Sequence, residues 1–242
     1  MAVSMPSKIA ATLALAALAI FVAAAAAAAE EDPAAPTTAN LTLHNLCPFP
    51  VWPLVTANAG VLSIPLDDDG EPAGRLDADG DGLATLAFPP GAWSGRVVAR
   101  TGCTEEDDAG DAPPVRCATG DAPPATVAQV SVGGPRGLAA YSVSLVDGFN
   151  VAVAITPHGF AEGRRCPTLG CAVDLGAACP GGARAPGGGC GAGGSAAAVF
   201  KRLCPDTRTN ATDVEATPQD CLAPGELKVV FCPTPASVMA HH

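Results

Sequence analysis

The chain has 242 residues, including 24 prolines, 27 glycines and few aromatics, and its 24 acidic against 13 basic side chains give a net charge of −11. Polyphosphate and anionic lipid are repelled by such a surface, which excludes nucleic acid and acidic membranes as partners and leaves neutral polymers open. The Pro and Gly content makes loops abundant and helix scarce.

After Lys8 the run from Ile9 to Ala29 is continuously apolar, ends in small residues and stops at Glu30-Glu31-Asp32. It reads as a signal peptide over residues 1–29. A run of this length also reaches across the ~30 Å of a bilayer, but about two thirds of it is alanine, which is weakly hydrophobic, and small residues suit signal peptidase. Cleavage there leaves about 213 residues with a net charge near −12, enough for one domain with a sizeable core. Gly, Pro and Asp interrupt every later hydrophobic run, so no stable membrane insertion is expected.

Residues 30–39 are acidic and Pro-rich and are expected to be flexible. Strand-like runs come next, at 41–46, 50–55, 83–88, 95–100, 126–132, 138–146, 149–156 and 226–231. Several alternate, as Val143 and Leu145 do against Ser142 and Ser144, which marks half-buried strands. The acidic stretch 67–82 ends in DADGDG, where Asp77, Asp79 and Asp81 match the start of a calcium loop; the twelfth position carries Phe88 instead of a bidentate Glu, so a solvated hairpin tip is expected. Asp147-Gly148 between two strand runs is a two-residue hairpin signal, and it implies an antiparallel sheet. Ser195 before AAAVFKRL predicts a short helix with a serine cap and basic residues near its end. It lies inside a cysteine- and glycine-rich stretch, 166–204, which reads as a loop-built lobe in which disulfides replace a core.

Ten cysteines lie downstream of the signal, an even number in an oxidising compartment, and pairing is expected. Spacing alone leaves on the order of a thousand pairings open. Structural zinc finds no support, because no CxxC occurs and the closest pair, Cys166 and Cys171, has no histidine nearby in sequence. Asn40-Leu41-Thr42 and Asn210-Ala211-Thr212 are N-glycosylation acceptor signatures that fit the same route. The histidines, His44, His158, His241 and His242, fall in no HExxH, no serine sits in GxSxG and no GxxxxGK loop occurs, so the one catalytic chemistry left open is a carboxylate pair of the glycosidase type.

The strings NLCPFPVW (45–52), GRVVARTGC (95–103), SLVDGFNV (144–151), APGGGC (185–190), KRLCPD (201–206) and KVVFCP (228–233) occur in the order and rough spacing of thaumatin-like proteins, the pathogenesis-related family 5 of plants. The chain resembles that family over nearly all of 41–233. The resemblance implies an all-β fold: an antiparallel β-sandwich with a loop-rich disulfide lobe on one side, a small hairpin domain on the other and a cleft between. Mapped here, the thaumatin-like domain would run from 40 to 233, with its core in 40–100, 131–172 and 205–233, the hairpin region in 101–130, the lobe in 173–204 and a flexible tail in 234–242.

Typical relatives carry sixteen cysteines; this chain lacks six, as three whole bonds. The resemblance then implies Cys47 with Cys232, Cys103 with Cys117, Cys166 with Cys221, Cys171 with Cys204 and Cys179 with Cys190. The cleft of antifungal relatives resembles an acidic trough of one Arg, one Glu and three Asp. By position these fall on Arg96, Gln129, Ser142, Asp147 and Asp206, so Gln129 and Ser142 stand where two carboxylates would be. Both can still hydrogen-bond sugar hydroxyls. The implied function is that of a secreted, monomeric defence protein of the apoplast rather than the vacuole, antifungal by binding cell-wall β-glucan or the fungal surface. The alternatives are inhibition of a microbial glycoside hydrolase and a weak endo-β-1,3-glucanase activity resting on Asp147 and Asp206. No cofactor and no metal are implied.

Overall fold

The computed structural model describes residues 39–64, 74–104, 116–214, 216–218 and 220–234. The expected signal peptide, nearly all of the acidic segment, the first part of the 67–82 cluster and the tail beyond 234 lie outside the described residues. Among the described residues the chain forms nine β-strands and one α-helix: β1 Asn40–Asn45, β2 Trp52–Ala57, β3 Gly82–Ala87, β4 Trp93–Arg100, β5 Val127–Val132, β6 Ala140–Ser144, β7 Val153–His158, β8 Leu169–Cys171, α1 Ser195–Leu203 and β9 Glu226–Phe231. Eight strands fall on the runs read from the sequence. The exception is β8, whose three residues, Leu-Gly-Cys, are too few to display an alternation.

The strands make two sheets, β3-β1-β9-β7-β8 and β2-β4-β5-β6. All pairs are antiparallel except β1 with β9, which run parallel in register from Asn40 opposite Glu226 to Asn45 opposite Phe231. Because parallel strands end on the same side, Cys47 and Cys232 emerge together just past the two strand ends, where they form a disulfide. Leu41 and Leu43 of β1, Leu227, Val229 and Phe231 of β9 and Ile155 of β7 meet Val97, Ala128, Val130, Tyr141 and Val143 of the other sheet in one buried core. Each such large side chain contributes roughly 1.5–3 kcal/mol by leaving water. Asn45, fully buried, organises the exit of β1: its Nδ2 donates to the carbonyls of Phe49 and Asp77, both at 2.9 Å, and its Oδ1 accepts from the Cys47 amide at 3.0 Å.

Asp147-Gly148 does turn the chain, with the Gly148 amide donating to the Leu145 carbonyl at 3.0 Å and Gly148 at φ 101°. It does not make a hairpin, however, since β6 and β7 belong to different sheets. Asn150 holds the crossover: its Nδ2 donates to the Ala99 carbonyl at 2.8 Å and to Thr119 Oγ1 at 3.0 Å, while its Oδ1 accepts from the Thr126 amide at 2.9 Å. These bonds draw residues 149–152 away from β6 before β7 begins, and Phe149 pairs instead with Cys190 of the lobe.

The hairpin region is a small one, Thr101 pairing with Thr119 and Thr104 with Arg116 around the Cys103–Cys117 bond. Residues 127–130, expected from the resemblance to belong to that region, run as β5 between β4 and β6 in the four-stranded sheet. In the lobe, Phe200 and Ala196 of α1 pack with Leu145, Phe149 and Leu175 in a second, smaller core that includes Cys171, Cys179, Cys190 and Cys204. Ser195 is the first helical residue and not the cap. That position is Gly194 at φ 59°, a left-handed conformation that glycine adopts at little cost, and no side chain caps the helix. Lys201 and Arg202 occupy the last turn, as the sequence indicates. The ten cysteines form Cys47–Cys232, Cys103–Cys117, Cys166–Cys221, Cys171–Cys204 and Cys179–Cys190.

Candidate functional site

Alternation along three strands builds the site. Val97 and Ala99 of β4, Ala128 and Val130 of β5 and Tyr141 and Val143 of β6 enter the core, so Ser94 and Arg96, Gln129 and Ser131, and Ala140 and Ser142 take the opposite face of the four-stranded sheet. Register then aligns them. Arg96 stands opposite Gln129, and Gln129 opposite Ser142, with Thr56 of β2 opposite Arg96 on the other side. Side chains directly opposite in antiparallel strands have Cβ atoms about 4.5–5.5 Å apart, so Arg96, Gln129 and Ser142 form a continuous polar row across three strands.

This row lies in a depression of about 250 Å³ whose described lining also includes Asn58, Ser94, Ser131 and Thr217. Asn58 Nδ2 donates to Ser94 Oγ at 3.0 Å. The floor depends on Gly95, because a Cβ there would meet the Thr56 carbonyl oxygen at 2.5 Å and the Trp93 ring. Below it, the buried Tyr141 hydroxyl donates to the Pro167 carbonyl at 2.6 Å, and burial pushes the phenol pKa well up. Arg96 is the one formally charged side chain in the described lining, and it is exposed. Beside the apolar Val130 and Ala140, the lining offers hydroxyls, amides and one guanidinium, a set that donates to and accepts from neutral hydroxylated ligands.

The remaining two candidates stand apart from this row. Asp147 is exposed and lines a second depression of about 490 Å³, with Pro123, Pro124, Val146, Gly191, Ala192, Gly193, Thr209 and Asn210. Asp206 is exposed in the turn that leaves α1 and is in the lining of neither. Two residues later Arg208 joins the edge of β6, its amide donating to the Val143 carbonyl at 3.1 Å and its carbonyl accepting from the Leu145 amide at 2.6 Å.

Ser94 and Ser131 are not among the residues the resemblance implies, although the sequence carries their signal: each lies two residues from a row member on the same strand, hence on the same face. Asn58 and Thr217 reach the depression only through the tertiary fold. Asp77, Asp79 and Asp81 are exposed at the turn into β3, with Asp77 paired to Arg75 at 3.2 Å, and among the described residues no group of three or more His, Cys, Asp or Glu side chains is placed to share a metal ion.

Residues 45–195 match the pattern of the thaumatin family. An osmotin-like protein of Solanum lycopersicum is 35% identical over 241 aligned positions, covering 79% of this chain and 88% of the relative. Pathogenesis-related protein 5 of Arabidopsis thaliana is 31% identical, covering 80% of this chain and 90% of the relative. A protein of Prunus avium named glucan endo-1,3-beta-glucosidase is 33% identical, covering 57% of this chain and 56% of the relative. With more than half of the chain matching the family pattern and a relative 35% identical over most of its length, the chain belongs to the thaumatin family.

Proposed function

We propose that this is a secreted, apoplastic plant defence protein that binds a neutral cell-wall polysaccharide, β-1,3-glucan, on the outer face of the four-stranded sheet. The observation that carries the reading is the register-aligned row Arg96–Gln129–Ser142 in one depression, with Arg96 exposed, Gln129 half-buried and Ser142 buried at the floor. A row across strands places polar groups at regular spacing, as an extended chain of sugar hydroxyls requires; Arg96 and Gln129 are the members with accessible surface, and Gln129 adds no charge. Membership in a family that includes a pathogenesis-related protein supports the defence role, and the Prunus avium relative's name supports β-1,3-glucan as the first polymer to try.

Binding without turnover is the favoured mode. A glycosidase of the ordinary kind needs two carboxyl groups about 5 to 9.5 Å apart across one glycosidic bond, and Asp147 and Asp206 share neither depression. The test is co-sedimentation with insoluble β-1,3-glucan, with reducing-sugar release followed in the same tubes. It compares wild type, Arg96→Ala/Gln129→Ala and Asp147→Asn/Asp206→Asn. The first variant should lose binding, the second should keep it, and none should release sugar. Release by wild type that disappears in the Asp double variant would establish an enzyme instead. Failure of wild type to sediment would remove the glucan reading.

A further inference from the structure

The acceptor signature Asn210-Ala211-Thr212 occupies a loop in which Thr212 and Asp213 fix the Asn210 carboxamide. Asn210 Oδ1 accepts from the Thr212 amide at 2.9 Å and from Thr212 Oγ1 at 2.7 Å, and Asn210 Nδ2 donates to Asp213 Oδ1 at 2.9 Å. Asp213 is itself held through Oδ2 by the Thr209 amide and hydroxyl, at 2.9 and 2.7 Å. Arg208 closes the loop from behind, its Nη2 donating to the Ala211 carbonyl at 2.9 Å. Asn210 is exposed, and of the two hydrogens on its Nδ2 the bond to Asp213 uses one.

Asn210 is also part of the wall of the second depression. At about 490 Å³ this hollow falls in the ~300–1,000 Å³ range of small-molecule sites. Its other walls are two adjacent proline rings, Pro123 and Pro124, the side-chain-free stretch around Gly191 and Gly193, and Val146, with the Asp147 carboxylate as the one ionised group in the described lining. Proline rings and bare glycine backbone offer flat, apolar surface to the C–H face of a pyranose, and a carboxylate accepts from its hydroxyls. The other acceptor, Asn40, opens β1 in the opposite sheet and lines neither depression.

We propose that Asn210 carries an N-linked glycan whose first sugars lie in this depression, over Pro123-Pro124 and Gly191–Gly193, and cover Asp147. In the attachment step Asn210 Nδ2 bonds to C1 of an N-acetylhexosamine. The bond from C1 to a polyprenyl diphosphate donor breaks, the diphosphate leaves with the electron pair, and the Nδ2 proton passes to a base of the transferase. No redox change occurs. The glycan closes the Asp147 side of the surface to other ligands and leaves the Arg96–Gln129–Ser142 row open, a consequence independent of what that row binds.

The test uses the full chain secreted from a eukaryotic host. Glycopeptide mass spectrometry should find a hexosamine-based glycan at Asn210 that is absent from Asn210→Gln. Carboxyl footprinting with a carbodiimide and an amine then compares the folded wild type before and after enzymatic removal of the glycan, so that the result does not depend on any variant folding. Labelling of Asp147 should rise several-fold on removal, while labelling of the exposed Glu162 stays constant. An unmodified Asn210 in the secreted protein, or Asp147 labelling unchanged by removal, overturns the proposal.

Discussion

Replacing Cys47 and Cys232 together by serine should destabilise the protein by about 5 kcal/mol, the largest cost of any of the five pairs. The bond closes a loop of 185 residues, and the chain-entropy relation gives about 5.3 kcal/mol for a loop of that length. All four other bonds lie inside the loop, and the two outermost of them, of 55 and 14 residues, shorten its effective path, but the logarithmic dependence lowers the figure by only about 0.5 kcal/mol. The comparison is the Cys179–Cys190 pair, which closes 11 residues and should cost about 2.8 kcal/mol on the same relation. Each pair has one fully buried member, Cys47 and Cys190; of their partners, Cys232 is partly buried and Cys179 is buried, so the serine substitutions themselves cost the Cys47–Cys232 pair no more than the other. Guanidinium unfolding of the two double variants under non-oxidising, non-reducing conditions, analysed by linear extrapolation, measures the difference directly. A Cys47/Cys232 variant no less stable than the Cys179/Cys190 variant would refute the reasoning and show that loop closure is not what this bond contributes.

Asp213 is held at a pKa of about 2, chiefly by the hydrogen bonds from Thr209, with Lys201 nearby adding to the effect. A depressed carboxylate stabilises the fold fully above its ordinary pKa and loses that contribution as pH falls toward the folded value, so stability should decline between about pH 4 and pH 2; Asp213→Asn should flatten that part of a pH-dependent unfolding series, and an unchanged slope would discount the group. Gly148→Ala should cost at least about 1 kcal/mol in chemical denaturation, because Gly148 is at φ 101° and its Cβ would meet the Cys190 carbonyl oxygen and Pro124 Cβ, both at 2.6 Å. Phe200→Ala should cost about 3–5 kcal/mol by emptying the fully buried centre of the lobe core, and a smaller loss, read from the same denaturation curves, would mean that the disulfides hold the lobe without it.

Much of the fold was legible in local chemistry. Leu41 and Leu43 alternating with Thr42 and His44, or Tyr141 and Val143 with Ser142 and Ser144, announce strands whatever surrounds them, since a pleated backbone sends successive side chains to opposite faces. The AAAVFKRL segment was equally plain as a helix, but its cap was not: whether Ser195 or Gly194 flanks the first turn depends on backbone angles set by the preceding glycines. Of the site, the resemblance put five residues into one cleft. The structure unites Arg96, Gln129 and Ser142 and assigns Asp147 to another depression.

The sequence by itself determined the strand content, the helix, the even complement of thiols and the turn at Asp147-Gly148, because each is a property of neighbouring residues and of the bonds they favour. Which strands become neighbours was decided only by the tertiary structure. β1 and β9 lie side by side although nearly the whole domain separates them in the chain, and β6 and β7 part company although only a short crossover joins them. The cause is the side-chain bonding of Asn150 and the shared core, which act between residues far apart in sequence. The same holds for the candidate site. Strand alternation indicates that Arg96, Gln129 and Ser142 each face away from the core; register alone brings them into one row.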